Sequence, residues 1–278
     1  MSTLGILRAI NREDASVAPA VRRAFPAIAR AVGAAVRALC SGGRMFYVGA
    51  GTSGRLAALD AAECPPTFGT SAKMVQSVTA GGRRALSGAV EGAEDSAANG
   101  ARDLKRRGVS ARDLVVGIAA SGETPYVLGA IGYAKRCGAT TVGLTSNRDS
   151  TLERVAKVAI VVETGPEALT GSTRLKAGTA QKMVLNLLST ATMVRLGRVY
   201  DNWMIGVTLT NQKLKARALR ILSEASGAEV SQAAHALRQS RHDLRIALIM
   251  LKTGVNAAEA RRELSCARGQ LRQALGEK

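Results

Sequence analysis

The sequence predicts an α/β fold, a doubly wound parallel sheet with helices on both faces, followed by a small C-terminal annex of three helices. Short apolar runs alternate with segments of helical spacing, and the turns between them are short and rich in glycine. Beyond Gly227 the strand-like runs stop and three short amphipathic segments follow. We therefore expect N-terminal helices at residues 1–40, an α/β domain at 41–225 and a helical annex at 226–278.

The order of the elements follows from the same patterns. Helical apolar spacing runs from Leu4 to Leu39, with breaks near Asp14 and Pro26. The expected strands are 44–48, 74–78, 113–118, 140–145 and 158–162. The first expected helix after the first strand begins at the glycine turn and ends at Pro65-Pro66. Further helices are expected at 96–107, 126–136, 151–156, a long segment up to 195, 204–222, 229–239, 242–251 and 257–266.

Composition excludes several classes of protein. The 278-residue chain has four cysteines with no C-x-x-C pair, and its two histidines lie in one polar helical segment. We therefore expect neither a metal site nor a disulfide framework. No basic-then-apolar leader opens the chain, and charged residues interrupt each apolar run. These features predict a cytoplasmic protein without a membrane span.

The formal charge of +18 is what one looks for first in a nucleic-acid-binding protein. The Lys and Arg residues are spread over every helical segment, and few aromatic residues accompany them. A nucleic-acid site would need a basic block with aromatic side chains for stacking. We favour a solvated basic surface that attracts anionic substrates, and we expect no nucleic-acid partner.

The run GAGTSGR at residues 49–55 joins the first expected strand to a helix. Free backbone N–H groups and the hydroxyls of Thr52 and Ser53 converge there at a helix N-terminus, which attracts an anion, most naturally a phosphate. A dinucleotide site would need an acidic residue about 20 positions on, and residues 73–82 contain none. No Gly-Lys-Ser/Thr follows the turn either. A small phosphorylated ligand is favoured, with no nucleotide cofactor.

The run AASGETP at residues 119–125 repeats this design after the third strand. It contains Ser121, Gly122 and Thr124, and two such corners on adjacent parallel strands could bind one phosphate from two sides. A third run, GSTRLKAGT at 171–179, opens the long helix, and its Ser172-Thr173 start is expected to cap it.

Two glutamates are candidates for acid–base chemistry. Glu63 precedes Pro65-Pro66 at the expected end of the first helix of the α/β domain, and Glu94 follows a glycine turn. Spacing alone favours ordinary solvated acids that cap helices. Against this, Glu63 lies among small apolar residues, and partial burial would raise its pKa, as a general acid requires.

Four segments carry a resemblance to a known family. The sequence is similar to the bacterial N-acetylmuramic acid 6-phosphate etherases of the sugar isomerase (SIS) superfamily, over almost its whole length. The segments that carry the likeness are GAGTSGRLAALDAAECPPTFG, TAGGRRALSGAVEGAED, VVGIAASGETPYV and ALTGSTRLKAGTAQKMVLNLLST.

The resemblance implies cleavage of the D-lactyl ether of N-acetylmuramic acid 6-phosphate in cell-wall recycling and amino sugar catabolism. It implies a homodimer with sites near the subunit interface and no metal or nucleotide cofactor. By motif, Glu63 would protonate the departing lactate and Glu94 would be the second catalytic carboxylate, the base at C2. The implied substrate contacts are Gly51, Thr52, Ser53, Ser121, Gly122 and Thr124 for the phosphate, with Ser172, Thr173 and Lys176 for the rest of the substrate.

One departure from the family pattern lies beside this site. Glu123 stands where the family commonly has Arg, so a negative charge is expected next to the phosphate. Two alternatives share the fold: a sugar-phosphate isomerase, which also uses a carboxylate base but releases no lactate, and a non-catalytic sugar-phosphate-binding regulator.

Overall fold

The computed structural model describes residues 1–207, 209 and 212–277. Packing divides them into two compact units. The first, here called the sheet unit, consists of Met1–Ala62 and Ala72–Thr190. The second, the helical unit, consists of Glu63–Ser71 and the chain from Ala191 onward. The three predicted domain ranges remain a prediction.

The sheet unit opens with three helices, α1 Thr3–Asp14, α2 Val17–Arg23 and α3 Phe25–Cys40, which confirms the breaks predicted near Asp14 and Pro26. Five parallel strands follow: β1 Met45–Gly49, β2 Val75–Thr79, β3 Leu114–Ile118, β4 Thr140–Thr145 and β5 Val158–Val161. Their order in the sheet is β2-β1-β3-β4-β5. The predicted α/β fold class is confirmed.

Helices connect these strands. They are α4 Gly51–Phe68, α5 Arg84–Ser87, α6 Ala97–Arg106, α7 Pro125–Arg136, α8 Thr151–Val155 and α9 Lys176–Arg195. All residues of β1 and β3 are buried, as expected for central strands covered on both faces. Gly117 in β3 leaves room for α7, since a Cβ there would lie 2.8 Å from Val127 and Ile131 side chains. Burying such aliphatic side chains contributes about 1.5–3 kcal/mol each.

The predicted break of α4 at Pro65-Pro66 is wrong, because the helix continues to Phe68. The fixed φ of proline suits a helix, but each of the two residues removes one N–H donor and its ring crowds the carbonyl four positions earlier, so they weaken α4 without ending it. The helix ends one turn later, where Gly69 has φ +61° and its N–H donates to the carbonyl of Pro65. Glu63 therefore lies within the helix and not at its end.

After the end of α9, the helical unit contains a short antiparallel pair, β6 Val199–Tyr200 and β7 Trp203–Met204. The helix predicted from residue 204 instead begins at Gln212, as α10 Gln212–Ser226. Asp201, with φ +48°, turns the chain between the two strands, and a helical period cannot reveal such a turn. The remaining helices are α11 Val230–Gln239, α12 Leu244–Thr253, α13 Ala257–Cys266 and the short α14 Leu271–Ala274.

The core of the helical unit is mostly aliphatic, with Tyr200 and Trp203 as its aromatic members, and it includes α10. Ala218, Ile221 and Leu222 of α10 join Leu237, Leu248 and other buried residues of α11 to α14 in one cluster. Asn256 caps α13: its side chain accepts from the N–H of Glu259, and the Glu259 carboxylate accepts from the N–H of Asn256. Within the described part of the chain, no helix combines the length and apolar character needed to cross a bilayer.

Candidate active site

The strand order indicates that the candidate site lies at the carboxyl ends of β1 and β3. The connection from β1 leads to β2 on one side, and the chain then returns to β3 on the other, so the order reverses between β1 and β3. In such sheets ligands bind outside the carboxyl ends of the strands at this reversal. Gly49 and Ile118 are paired at these ends. The two predicted glycine corners follow directly, one after each strand.

The β1 corner depends on close backbone packing. Gly51 has φ +52° and begins α4. A Cβ at Gly54 would lie 2.5 Å from the Thr79 side chain and 2.9 Å from the Gly49 carbonyl oxygen, so only glycine lets the first turn of α4 sit on the ends of β1 and β2. The N–H groups of Gly51, Thr52 and Ser53 precede the first intrahelical hydrogen bond, which Gly54 donates to the Ala50 carbonyl, and therefore lack intrahelical acceptors.

A cavity of about 310 Å³ opens at the β1 corner. Gly51 and Thr52 line it on one side, and the 88–94 loop, including Glu94, lines it on the other. The Thr52 side chain is half-buried and makes no hydrogen bond within the described residues. Glu94 is exposed. The cavity thus combines a helix start, a hydroxyl and a carboxylate.

Arg55, which is not among the predicted site residues, adds a cation to this cavity. Its Nε donates to the Ala85 carbonyl at 2.9 Å and its Nη2 to the Gly88 carbonyl at 2.8 Å. These bonds tie the loop that leads to Glu94 to the first turns of α4. In the sequence, its position at the end of the GAGTSGR run is the feature that could indicate a site residue.

The loop of Glu94 is also fixed to the β3 corner. The carbonyl of Glu94 accepts from the N–H of Tyr126 at 3.0 Å, in the first turn of α7. Helices α6 and α7 pack backbone to backbone here, because Cβ atoms at Gly100 and Gly129 would lie 1.9 Å from the Tyr126 carbonyl oxygen and 2.0 Å from the Ala97 carbonyl oxygen. Two glycines in separate helices therefore hold the EGAED loop beside α7.

The β3 corner is built differently. Gly122 is buried with φ +73°, and a Cβ there would lie 2.3 Å from Ser150 Oγ. The Ser121 hydroxyl accepts from the N–H of Glu123 at 3.1 Å. Thr124 precedes α7 and is half-buried without a side-chain capping bond. This corner is closed by the loop after β4.

The Glu123 carboxylate is bound to that loop. It accepts from the N–H of Thr151 at 2.7 Å, at the start of α8. This hydrogen bond is the main cause that lowers the pKa of Glu123. The negative charge expected beside the phosphate is thus bound to a neighbouring helix start.

A second cavity, of about 540 Å³, lies at the ends of β3, β4 and β5. Ser121 and Thr173 line it, together with Asn147, whose Nδ2 donates to the Ser121 carbonyl at 3.3 Å. Arg148 and Glu163 also line it and form an ion pair. The predicted phosphate contacts are therefore shared between two cavities, one at each corner.

The start of α9 corrects one prediction. Glu167, and not the Ser172-Thr173 pair, caps this helix, since its carboxylate accepts from the N–H groups of Lys176 at 2.8 Å and Ala177 at 3.0 Å. A carboxylate satisfies two donors at once and complements the helix dipole. The Lys176 side chain is 4% exposed, and its Nζ lies 2.6 Å from Glu13 Oε2 of α1.

Glu63 itself is exposed, so the partial burial expected for it is wrong in this chain. One turn earlier in α4, Asp60 is buried. Its carboxylate accepts from the hydroxyl of Tyr47 in β1 at 2.9 Å and from that of Ser189 in α9 at 3.0 Å. Burial raises the pKa of Asp60, and the two hydrogen bonds act to lower it. Asp60 thus fixes the part of α4 that leads to Glu63.

The structure brings Gly51, Thr52 and Glu94 together at the first cavity, and Ser121 and Thr173 at the second. The remaining predicted substrate contacts line neither of these two cavities: Ser53, Gly122, Thr124, Ser172 and Lys176. Among the described residues, no group of three or more His, Cys, Asp and Glu side chains could hold a metal ion.

Comparisons with known proteins define the class first. Residues 27–135 match the glucokinase regulatory protein N-terminal SIS domain, and residues 96–191 match the SIS domain. Among solved structures, a phosphoheptose isomerase from Francisella tularensis is 16% identical with a TM-score of 0.52, over 69% of this chain and 98% of that one. A protein from E. coli CFT073, solved in complex with a ligand, is 19% identical with a TM-score of 0.52, over 73% and 97%. The chain has the SIS fold.

The curated relatives then identify the family. The chain is 54% identical over 275 residues to the N-acetylmuramic acid 6-phosphate etherase of Yersinia pestis (strain Pestoides F), covering 99% of this chain and 93% of that protein. The etherase of Yersinia pseudotuberculosis serotype O:1b (strain IP 31758) has the same identity and coverage. The chain belongs to the N-acetylmuramic acid 6-phosphate etherase family.

Proposed function

We propose that this chain cleaves the D-lactyl ether of N-acetylmuramic acid 6-phosphate with water, giving N-acetylglucosamine 6-phosphate and D-lactate in the cytoplasm. The observation that carries the proposal is 54% identity to curated etherases over 99% of the chain. The cavity at the β1 corner supports it, because a helix start can bind the phosphate of a sugar phosphate and a carboxylate can transfer its protons.

The reaction is an elimination followed by addition of water. A base removes the proton at C2 of the ring-opened sugar, which the neighbouring aldehyde acidifies. The C3–O bond then breaks, and the lactate oxygen takes a proton as it leaves. Water adds at C3 of the unsaturated aldehyde, and a proton returns to C2, so the atoms balance without an oxidant or a metal.

Two glutamates supply the proton transfers in this proposal. Glu94 is the base at C2, since it lines the same cavity as Gly51 and Thr52. Glu63 protonates the departing lactate and later activates the water, as the family motif ECPPT implies. General acid–base assistance of this kind contributes about 100- to 10,000-fold each.

Release of D-lactate from N-acetylmuramic acid 6-phosphate by the purified protein tests the activity. We expect lactate and N-acetylglucosamine 6-phosphate in equal amounts. A sugar-phosphate isomerase or a non-catalytic regulator would release no lactate, so the absence of lactate would reject the etherase proposal in favour of one of these. In heavy-oxygen water, the label should enter the sugar and not the lactate.

Variants separate the roles of the two glutamates. Glu94→Gln should lower kcat about 100-fold or more and also abolish exchange of the C2 proton with deuterated water. Glu63→Gln should lower lactate release similarly while C2 exchange in unreacted substrate continues. Glu91→Gln is the matched control, because Glu91 lines the same cavity as Glu94 and should keep most of the turnover. Equal losses for Glu91→Gln and Glu94→Gln would contradict the assignment.

The proposal includes a homodimer with sites near the subunit interface. Helix α1 supports it: no residue of α1 is buried, and Leu4, Ile6 and Leu7 are all exposed. An exposed apolar helix face is typical of a protein interface. Light scattering should give twice the chain mass for the parent protein and a lower mass when all three residues are changed to Ser. A monomeric parent would contradict the dimer.

A further inference from the structure

A cavity of about 440 Å³ lies within the helical unit, and none of the residues proposed for the etherase reaction lines it. Its walls come from the chain before β6, the segment after β7, the first turns of α10 and the turn between α11 and α12. One wall is apolar, and Ile205, Val207 and Leu244 in it are buried. This cavity has no part in the etherase proposal and does not depend on it.

The rest of the lining is strongly cationic. Four basic side chains face a single carboxylate, and the histidine His242 adds a further nitrogen donor or acceptor. The charged lining residues are Arg198, Lys215, Arg241, Arg245 and Asp243. Positive charges therefore exceed negative charges by three in a small volume. Such concentration costs energy through mutual repulsion unless an anion is bound.

In the part of the chain that the structure describes, one of these cations has a protein partner. Arg245 pairs with Asp243, with Nε to Oδ1 at 3.2 Å and Nη2 to Oδ2 at 2.9 Å, and this pairing is among the hydrogen bonds that lower the pKa of Asp243. Within the described residues, the side chains of Arg198, Lys215 and Arg241 make no hydrogen bond and no ion pair. The carboxylate is thus used by Arg245, and three cations remain available.

Arg198 is the residue that distinguishes this cavity from an ordinary basic surface. It is half-buried, and burial together with repulsion from Arg245 lowers its pKa. A guanidinium is rarely taken out of water unless a carboxylate or phosphate receives its hydrogen bonds. Its five donors in a planar fork match the oxygens of such an anion.

We propose that this cavity binds the phosphate group of a small organic phosphate, with Arg198 as its central ligand and Lys215 and Arg241 at the rim. A phosphate monoester carries about 1.5–2 negative charges at neutral pH, whereas a monocarboxylate carries one. The excess of three positive charges favours the phosphate. The apolar wall at Ile205, Val207 and Leu244 leaves space for an organic body about the size of a sugar.

The turn that presents Arg241 is held in place. Arg241 and His242 have φ +58° and +66°, a left-handed conformation that is costly for side-chain-bearing residues and that clusters at functional sites. The turn is secured by the N–H of His242, which donates to the Leu237 carbonyl at 2.9 Å, and by Arg261, which donates to the Ser240 carbonyl at 2.6 Å. The rim is therefore formed before a ligand arrives.

Trp203 provides a local probe, because it is the only tryptophan of the chain and lies two residues before Ile205. Its fluorescence is titrated with inorganic phosphate, glucose 6-phosphate and acetate at constant ionic strength set by chloride. We expect a saturable change with both phosphates, tighter for glucose 6-phosphate, and none with acetate. No saturable change with either phosphate would overturn the proposal, and an equal response to acetate would overturn the ligand class.

Variants locate the binding. Arg198→Gln should weaken both phosphates about 10- to 100-fold, the loss expected for hydrogen bonds to a charged group. Arg262→Gln, an exposed change in α13, is the matched control and should stay within about twofold. Equal affinity in Arg198→Gln and the parent would assign the signal elsewhere and reject the site.

Folding is checked by circular dichroism. If Arg198→Gln does not fold, the exposed double change Lys215→Gln with Arg241→Gln replaces it. This double variant is also expected to bind both phosphates more weakly than the parent. Unchanged affinity in that double variant would also reject the site.

Discussion

The two glycine corners of the sheet have the same sequence design and different structures. At the β1 corner, Gly51 has open space around it and Thr52 faces a cavity. At the β3 corner, Gly122 is packed against Ser150, and the Ser121 hydroxyl already accepts a backbone hydrogen bond. A glycine after a strand can therefore border an open cavity at one corner and allow the packing of a neighbouring loop at the other.

The same motif can therefore either leave polar groups available for a ligand or use them in hydrogen bonds within the fold. The β1 corner keeps its donors and Thr52 available, and Arg55 holds the adjacent loop. The β3 corner uses its groups for structure, since Leu152 donates to the Gly122 carbonyl and Thr151 to the Glu123 carboxylate. We therefore expect changes at Gly122 and Ser121 of the β3 corner to affect mainly stability, and a change of the Thr52 hydroxyl at the β1 corner to affect mainly turnover.

The largest expected effect is a loss of stability when a methyl group is added at the β3 corner, compared with the same change at the β1 corner. Gly122→Ala combines a left-handed φ with a Cβ 2.3 Å from Ser150 Oγ, and should lower the free energy of unfolding by about 2–5 kcal/mol. Gly51→Ala meets no atom within 4 Å and should cost only about 1–2 kcal/mol for its φ of +52°. Denaturant unfolding of both variants measures the contrast, and equal losses would remove the distinction between the corners.

The hydroxyls provide a second and smaller contrast. Thr52→Val should leave the free energy of unfolding within about 0.5 kcal/mol of the parent, because the hydroxyl has no hydrogen bond within the described residues. It should lower kcat/KM about tenfold through the lost substrate contact. Ser121→Ala, by contrast, should lower the free energy of unfolding by about 0.5–1.5 kcal/mol, since the Glu123 N–H loses its acceptor.

Steady-state kinetics and unfolding on the same preparations separate these outcomes. A destabilised Thr52→Val, or a Ser121→Ala with parental stability, would show that the hydroxyls do not follow the division between the corners.

The smallest expected effect is a pH dependence at the β3 corner. The hydrogen bond from Thr151 holds the pKa of Glu123 below its ordinary value, so the ionised carboxylate stabilises the fold above the unfolded pKa of about 4.3. This stabilisation is lost as the pH falls through the lower folded pKa. Glu123→Gln should therefore reduce the free energy of unfolding at pH 7, and the difference from the parent should shrink below about pH 4.

Glu91→Gln, which breaks no hydrogen bond within the described residues, should show no such pH-dependent difference. If the free energy of unfolding of Glu123→Gln stays equally far below that of the parent at low pH, the charge of Glu123 is not what binds Thr151.

Local patterns predicted most of the sheet unit. Apolar runs bounded by glycine turns located all five strands to within a residue or two, because the central strands β1 and β3 are fully buried and the edge strands β2 and β5 contain no exposed residue. The hairpin at Val199–Met204 was missed, since two-residue strands have no measurable period. The continuation of α4 through Pro65-Pro66 has no local signal, because two adjacent prolines in a sequence are typical of a helix end.

The sequence determined the strands, the two corners and the family motifs with Glu63 and Glu94, because these depend on residues close together in the chain. Tertiary structure decided which donors remain open: Lys176 pairs with Glu13, Glu167 caps α9, and Glu123 binds α8. These partners are 9 to 163 positions apart in the chain. Only the packed fold brings them within hydrogen-bonding distance, and pairing between groups so far apart has no local signature.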